Sequence, residues 1–248
     1  MKTIRMNIVK KLILMWILST IIISAGAFTE PTPAEKVIQL TFVDHLQAGL
    51  IEQDVYVERT PGSDHVFRVL PEEREKYLDA PVYTVAKAVH HDPFDPTGCG
   101  PYPKGNPMGM TLKEWLGGSG TATYQCEEGW GTLHATFESL VPNATYTLWH
   151  FFMPKPPTKP FTGTLDLPIG ERDGTQSVFT TDAAGRATLD IQFEHCLQLT
   201  DKQLASGLAI ALHSDGKTYG PEPGGFGKVT HVQLFTMLPD VNDVMAGQ

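Results

Sequence analysis

The sequence predicts a mainly β fold, an antiparallel sandwich, and three observations carry that prediction. Seven short segments between residues 121 and 236 read as strands, several with apolar residues at every second position. Clusters of Gly, Pro, Asn, Asp and Ser separate many of them. One segment, residues 145–153, is apolar or aromatic on both faces, as a central strand is.

The chain opens with an export signal. Lys2, Arg5, Lys10 and Lys11 precede an apolar stretch from Leu12 to Ile23, and Ala25-Gly26-Ala27 offers small residues at a cleavage site. Residues 1–27 are therefore expected to be removed. The apolar run falls short of the ~20 residues a membrane-spanning helix needs. No other segment is apolar enough to span a membrane, so no integral span is expected after cleavage. The mature chain is expected to be secreted or periplasmic.

Residues 28–110 read as a small mixed α/β extension ending in a Pro- and Gly-rich loop. After a loose leader over 28–36, residues 37–51 fit either a strand or a helix. Residues 55–58, 65–70 and 82–89 read as short strands. Pro71 to Leu78 reads as a short helix, with proline in its first turn and early glutamates that suit the helix dipole. Residues 90–110 are expected to be a loop.

The sandwich domain is expected over 111–238. Thr111 and Glu114 form a capping box for a short helix that Gly117-Gly118 ends. Strands follow at 121–126, 132–139, 145–153, 176–181, 186–194, 207–213 and 229–236. Asp182-Ala183-Ala184-Gly185 is expected to close a hairpin between the fourth and fifth. Residues 239–248 read as a disordered tail. Strand number, turn density and alternation favour an immunoglobulin-like architecture. Cys126, Trp149 and Cys196 come in the order of that fold's cysteine, tryptophan and second cysteine. Glu194, however, stands where the tyrosine two residues before the second cysteine belongs, so the likeness is one of architecture.

Charge limits the partners. The full chain carries 19 basic and 28 acidic residues, and loss of the signal leaves 15 against 28, a net charge of −13. Such a surface repels nucleic acid and anionic lipid. An unknown protein or glycan is the expected partner. Of Cys99, Cys126 and Cys196, an oxidising compartment would pair two. Cys99–Cys126 would clip the Pro/Gly-rich segment, and Cys126–Cys196 would join two strand regions. The first is the expected pair, because little else holds the Cys99 loop.

Histidines supply the candidate metal ligands. His213 and His231 flank one long loop, and His150 sits late in the central strand, just before another. If their strands adjoin, three imidazoles would converge on copper or zinc. His90-His91-Asp92 with Asp95 is a second candidate. Trp130, Tyr219 and Phe226 lie on or near loops and are candidate ligand-binding rings. Asn143-Ala144-Thr145 fits a glycosylation sequon. There is no Gly-x-Ser-x-Gly elbow. His213-Ser214-Asp215 are adjacent in sequence, which points successive side chains apart and argues against a triad built from them. The expectation is an exported, non-catalytic protein with a binding or structural role at the cell envelope or outside the cell. The alternative is a histidine-based copper or zinc protein or metalloenzyme.

Overall fold

The computed structural model describes residues 37–48, 50, 53–90, 96–159 and 161–246. The export signal, the leader and the His91, Asp92 and Asp95 part of the second metal candidate lie outside the described residues.

In chain order the strands are β1 (Ile38–Phe42), β2 (Tyr56–Val57), β3 (His65–Val66), β4 (Pro81–Val85), β5 (Tyr102–Thr111), β6 (Ser119–Glu127), β7 (Trp130–Glu138), β8 (Thr145–Pro154), β9 (Leu165–Pro168), β10 (Val178–Thr180), β11 (Ala187–Glu194), β12 (Leu204–His213) and β13 (Thr230–Met237). Three short α-helices accompany them: α1 (Arg74–Tyr77), α2 (Leu112–Trp115) and, after the last strand, α3 (Val241–Ala246).

Every strand pairing is antiparallel. One sheet runs β1-β6-β7-β11. A second runs β10-β8-β12-β13, with β9 also on β8. A third, smaller sheet runs β2-β4-β5-β3. Alternation dictates how the first two sheets share a core. On β7, Leu133, Ala135 and Phe137 are buried, and on β11 Leu189, Ile191 and Phe193 are too, while the residues between them face out. Tyr146, Leu148, Leu208, Ile210, Leu212 and Leu234 of the second sheet join the same apolar cluster. Phe137 stacks on Phe179 with ring centroids 5.2 Å apart, tying one sheet to the other.

Five expectations are corrected. The disulfide is Cys126–Cys196, not Cys99–Cys126. Cys126 on β6 and Cys196 just past β11 lie on either side of β7, opposite and beyond Gly131, and their Cα atoms are 5.5 Å apart. Cys99 instead lies beside the third sheet, where its carbonyl accepts from Arg68 N at 2.9 Å. The 90–110 loop contains the ten-residue strand β5. Its prolines are tolerated because the β4–β5 ladder is irregular, with register shifts on both sides of Tyr83, which faces Pro107. Residues 38–43 do not belong to an appendage, since β1 pairs along its whole length with β6 and Val43 bridges to Phe235 of β13.

The Asp182–Gly185 turn forms, with Gly185 at φ 71° and Asp182 Oδ1 accepting from the Ala184 and Arg186 amides at 2.8 and 2.9 Å. It does not close a hairpin. It carries the chain from β10 in the second sheet to β11 in the first. The tail expected to lack order forms α3, whose first turn is held by Asp240, with Asn242 N donating to its Oδ1 at 2.9 Å.

Candidate functional site

The second sheet has an unusual outer face. Cross-strand register places Thr147, Trp149 and Phe151 of β8 level with Ala211, Ala209 and Gly207 of β12, and with Val232, Phe235 and Met237 of β13. These residues point away from the shared core. An outer face of an antiparallel sheet is ordinarily polar and wet. Here it is apolar and largely covered: Trp149 is 4% exposed, Ala211 1% and Phe235 9%.

The covering segments enclose a cavity of 340 Å³ over this face. Its floor is Trp149, Phe151 and the two alanines, and Phe161 and Phe226 line it from the long loops. Val89, His45, His90 and Asp166 complete parts of the wall. The floor is open because its middle strand carries minimal side chains. A Cβ at Gly207 would meet the Phe151 ring at 2.4 Å and Thr236 O at 2.5 Å, so only glycine lets that ring lie across β12. A volume in this range suits a small organic molecule, and the lining is apolar with a few polar groups at fixed places.

A hydrogen-bond chain runs along the floor. Trp149 Nε1 donates to Thr147 Oγ1 at 2.6 Å, and that hydroxyl lies 2.8 Å from His213 Nε2. The indole N–H can only donate, so the Thr147 proton is available to His213 Nε2. Burial holds His213 below the usual histidine range, with the charge of Asp215 acting the other way. Its ring is 5.9 Å from that of Tyr219, whose hydroxyl donates to Asp215 Oδ2 at 2.6 Å.

The three histidines singled out in the sequence do not come together. His150 and His231 are on the core-facing side of the second sheet, level with Leu208 and Leu212, four residues apart along β12 or about 13 Å. His213 is on the opposite face. Each has its own partner: His150 Nε2 lies 2.8 Å from Ser206 Oγ, His213 Nε2 meets Thr147, and His231 Nδ1 lies 2.6 Å from Asp54 O. Burial pushes the His150 pKa down to about 4 and holds His231 below its usual range. Among the described residues, no three His, Cys, Asp or Glu side chains form a group able to hold a metal ion.

The three candidate rings also part company. Phe226 lines the apolar cavity. Tyr219 sits beyond its end, against His213 and Asp215. Trp130 is 46% exposed at the β6–β7 turn of the other sheet.

No known protein family, curated protein or solved structure matches this chain.

Of the floor residues, Ala209, Ala211 and Phe235 were not singled out from the sequence, and Trp149 was read only in the place of an immunoglobulin core tryptophan. The signal for Trp149 was present in the two-sided apolarity of residues 145–153. Two-sided burial requires a second covering layer, and here the cavity and its loops supply it.

Proposed function

We propose that the chain is an exported protein with a binding role that is non-catalytic at this site, and that it holds a small apolar molecule in the cavity on the outer face of the β8-β12-β13 sheet. The observation that carries this reading is the 340 Å³ apolar cavity on a sheet face that would otherwise meet water. Trp149, Phe161 and Phe226 provide wide apolar surfaces, and His45, His90 and Asp166 give the ligand a polar end to address. Export is supported by the signal-like residues 1–27 and by a disulfide, which persists in oxidising compartments. Among the described residues, no helix is long and apolar enough to cross a membrane.

The scaffold is immunoglobulin-like in the architectural sense that we infer for it: two facing antiparallel sheets with connections gathered at their ends. Its strand partition is its own. Immunoglobulin domains split their second and third strands between sheets, whereas the β6–β7 hairpin stays within one. Trp149 faces the cavity and does not pin a core disulfide.

Titration with an environment-sensitive apolar dye such as Nile red, read by dye emission and by tryptophan quenching, tests the reading. Saturable one-to-one binding that is lost on filling the cavity supports it. Dye uptake that never saturates, or that survives the filling substitution, overturns it.

A further inference from the structure

A second cavity, of 490 Å³, lies past the other end of the hydrogen-bond chain and is lined by Asn143, Thr145, His213, Ser214, Asp215 and Lys228 among others. It is polar where the first is apolar. Ser214 is exposed on its wall, one residue beyond β12. Its Oγ lies 2.9 Å from Nε2 of His231, a residue with no exposed surface.

The tautomer of His231 follows from its other nitrogen. Nδ1 is 2.6 Å from the carbonyl oxygen of Asp54, which can only accept, so Nδ1 carries the proton. Nε2 then presents a lone pair and accepts from the Ser214 hydroxyl. The competing acceptor for that hydroxyl, Val229 O, is farther away at 3.4 Å. Asp54 is itself fixed. It is fully buried, and its Oδ2 accepts from Val232 N at 2.9 Å. Its carboxylate charge favours an imidazolium on His231, while burial keeps the resting ring neutral.

Nucleophile, base and orienting group thus stand in the order and at the spacing that nucleophilic acyl transfer requires. The other serine–histidine pair does not. Ser206 is fully buried, and its hydroxyl is 2.6 Å from the carbonyl of Gln198. Sequence adjacency argues against His213 as the partner of Ser214, because successive side chains point apart. The fold recruits His231 instead, because Ser214 shares its strand face with Leu212, which stands level with His231.

We propose that Ser214 is an acyl-accepting nucleophile activated by His231, giving the chain a carboxylic-esterase activity toward small esters at the polar cavity. Ser214 Oγ forms a bond to the ester carbonyl carbon as its proton passes to His231 Nε2. Collapse of the tetrahedral adduct breaks the bond to the alkoxide, which takes that proton and leaves as the alcohol. Water then attacks acyl-Ser214, gives a proton to His231, and releases the acid as the proton returns to Oγ. Ser214 and His231 are the catalytic pair, and Asp54 is a positioning residue. The activity is independent of ligand binding at the apolar cavity.

The test uses the mature protein, p-nitrophenyl acetate and a fluorophosphonate probe, with peptide mapping of the labelled site. The expected result is selective labelling of Ser214 and an ester turnover that falls about 10²-fold or more in Ser214→Ala. Ser214 is at the surface, so that variant retains the fold, which a melting curve checks. His231→Gln, read only if it melts cooperatively, is expected to lose labelling with Ser214 still present. Labelling of Ser214 no faster than of the exposed Ser119 and Ser139, or unchanged turnover in Ser214→Ala, overturns the proposal.

Discussion

Trp149 donates its indole N–H to Thr147 Oγ1 across 2.6 Å, on the face of β8 turned away from the core. Thr147 is 3% exposed, and the same hydroxyl also reaches His213 Nε2 at 2.8 Å. One side chain therefore satisfies a buried donor and a buried imidazole that water does not reach. Thr147→Val keeps the shape and removes both partners. Leaving two buried polar groups unmatched is expected to cost about 3 kcal/mol. Thr147→Ser, which keeps the hydroxyl, is expected to cost much less. Urea denaturation of the two variants measures the difference, and equal midpoints would show that the chain of hydrogen bonds contributes nothing.

Local chemistry was legible in the sequence and sheet assignment was not. The Thr111–Glu114 capping box forms as read, with Glu114 Oε2 accepting from Thr111 N at 2.7 Å and Thr111 Oγ1 accepting from Glu114 N at 3.3 Å, because both partners lie within one turn. The Asp182–Gly185 turn was legible for the same reason. Which sheets it joins depends on the partners of β10 and β11, which lie from 31 to 64 residues earlier in the chain (Val178 faces Thr147, Glu194 faces Trp130). β5 was hidden because proline and glycine weaken the strand pattern, while its neighbours β3 and β4 accept an irregular ladder. The candidate sites were the least legible. The cavity floor needs three strands in register, and the Ser214–His231–Asp54 contact joins residues from three separate parts of the chain.

The apolar cavity can be closed from its floor. Ala211 sits between Thr147 and Val232 with its methyl group on the cavity side. Ala211→Leu places three further carbons in empty space. Dye affinity is expected to fall at least about 10-fold, since lost burial of a few carbons at ~0.8 kcal/mol each already reaches that size. Thermal stability is expected to hold or rise. Undiminished dye binding in a folded Ala211→Leu protein would place the dye elsewhere.

The disulfide closes a loop of 70 residues between Cys126 and Cys196. Chain entropy for a loop of that length gives about 4 kcal/mol of stabilisation. The double variant Cys126→Ser/Cys196→Ser is expected to lose an amount of that order in denaturant unfolding. Cys99→Ser is expected to leave the bridge in place. Peptide mapping without reductant checks the pairing, and a Cys99-containing bridge in the wild-type protein would contradict it.

His150 sets an acid limit on stability. Its folded pKa is about 4, pushed down from 6.5 by burial on the core side of β8. Between those values the unfolded chain binds a proton that the folded chain refuses. Its neutral state therefore favours the fold fully above pH 6.5, and that advantage is lost as the pH falls toward 4. The shift corresponds to at most about 3 kcal/mol, at ~1.36 kcal/mol per unit. His213 and His231 are held low by the same cause, so they act in the same direction. His150→Gln removes the titrating group while retaining a side chain able to meet Ser206. Unfolding free energies measured from pH 7 to pH 4 are expected to fall less steeply in that variant than in the wild type. Parallel slopes would mean that the proton uptake responsible for acid sensitivity belongs to other groups.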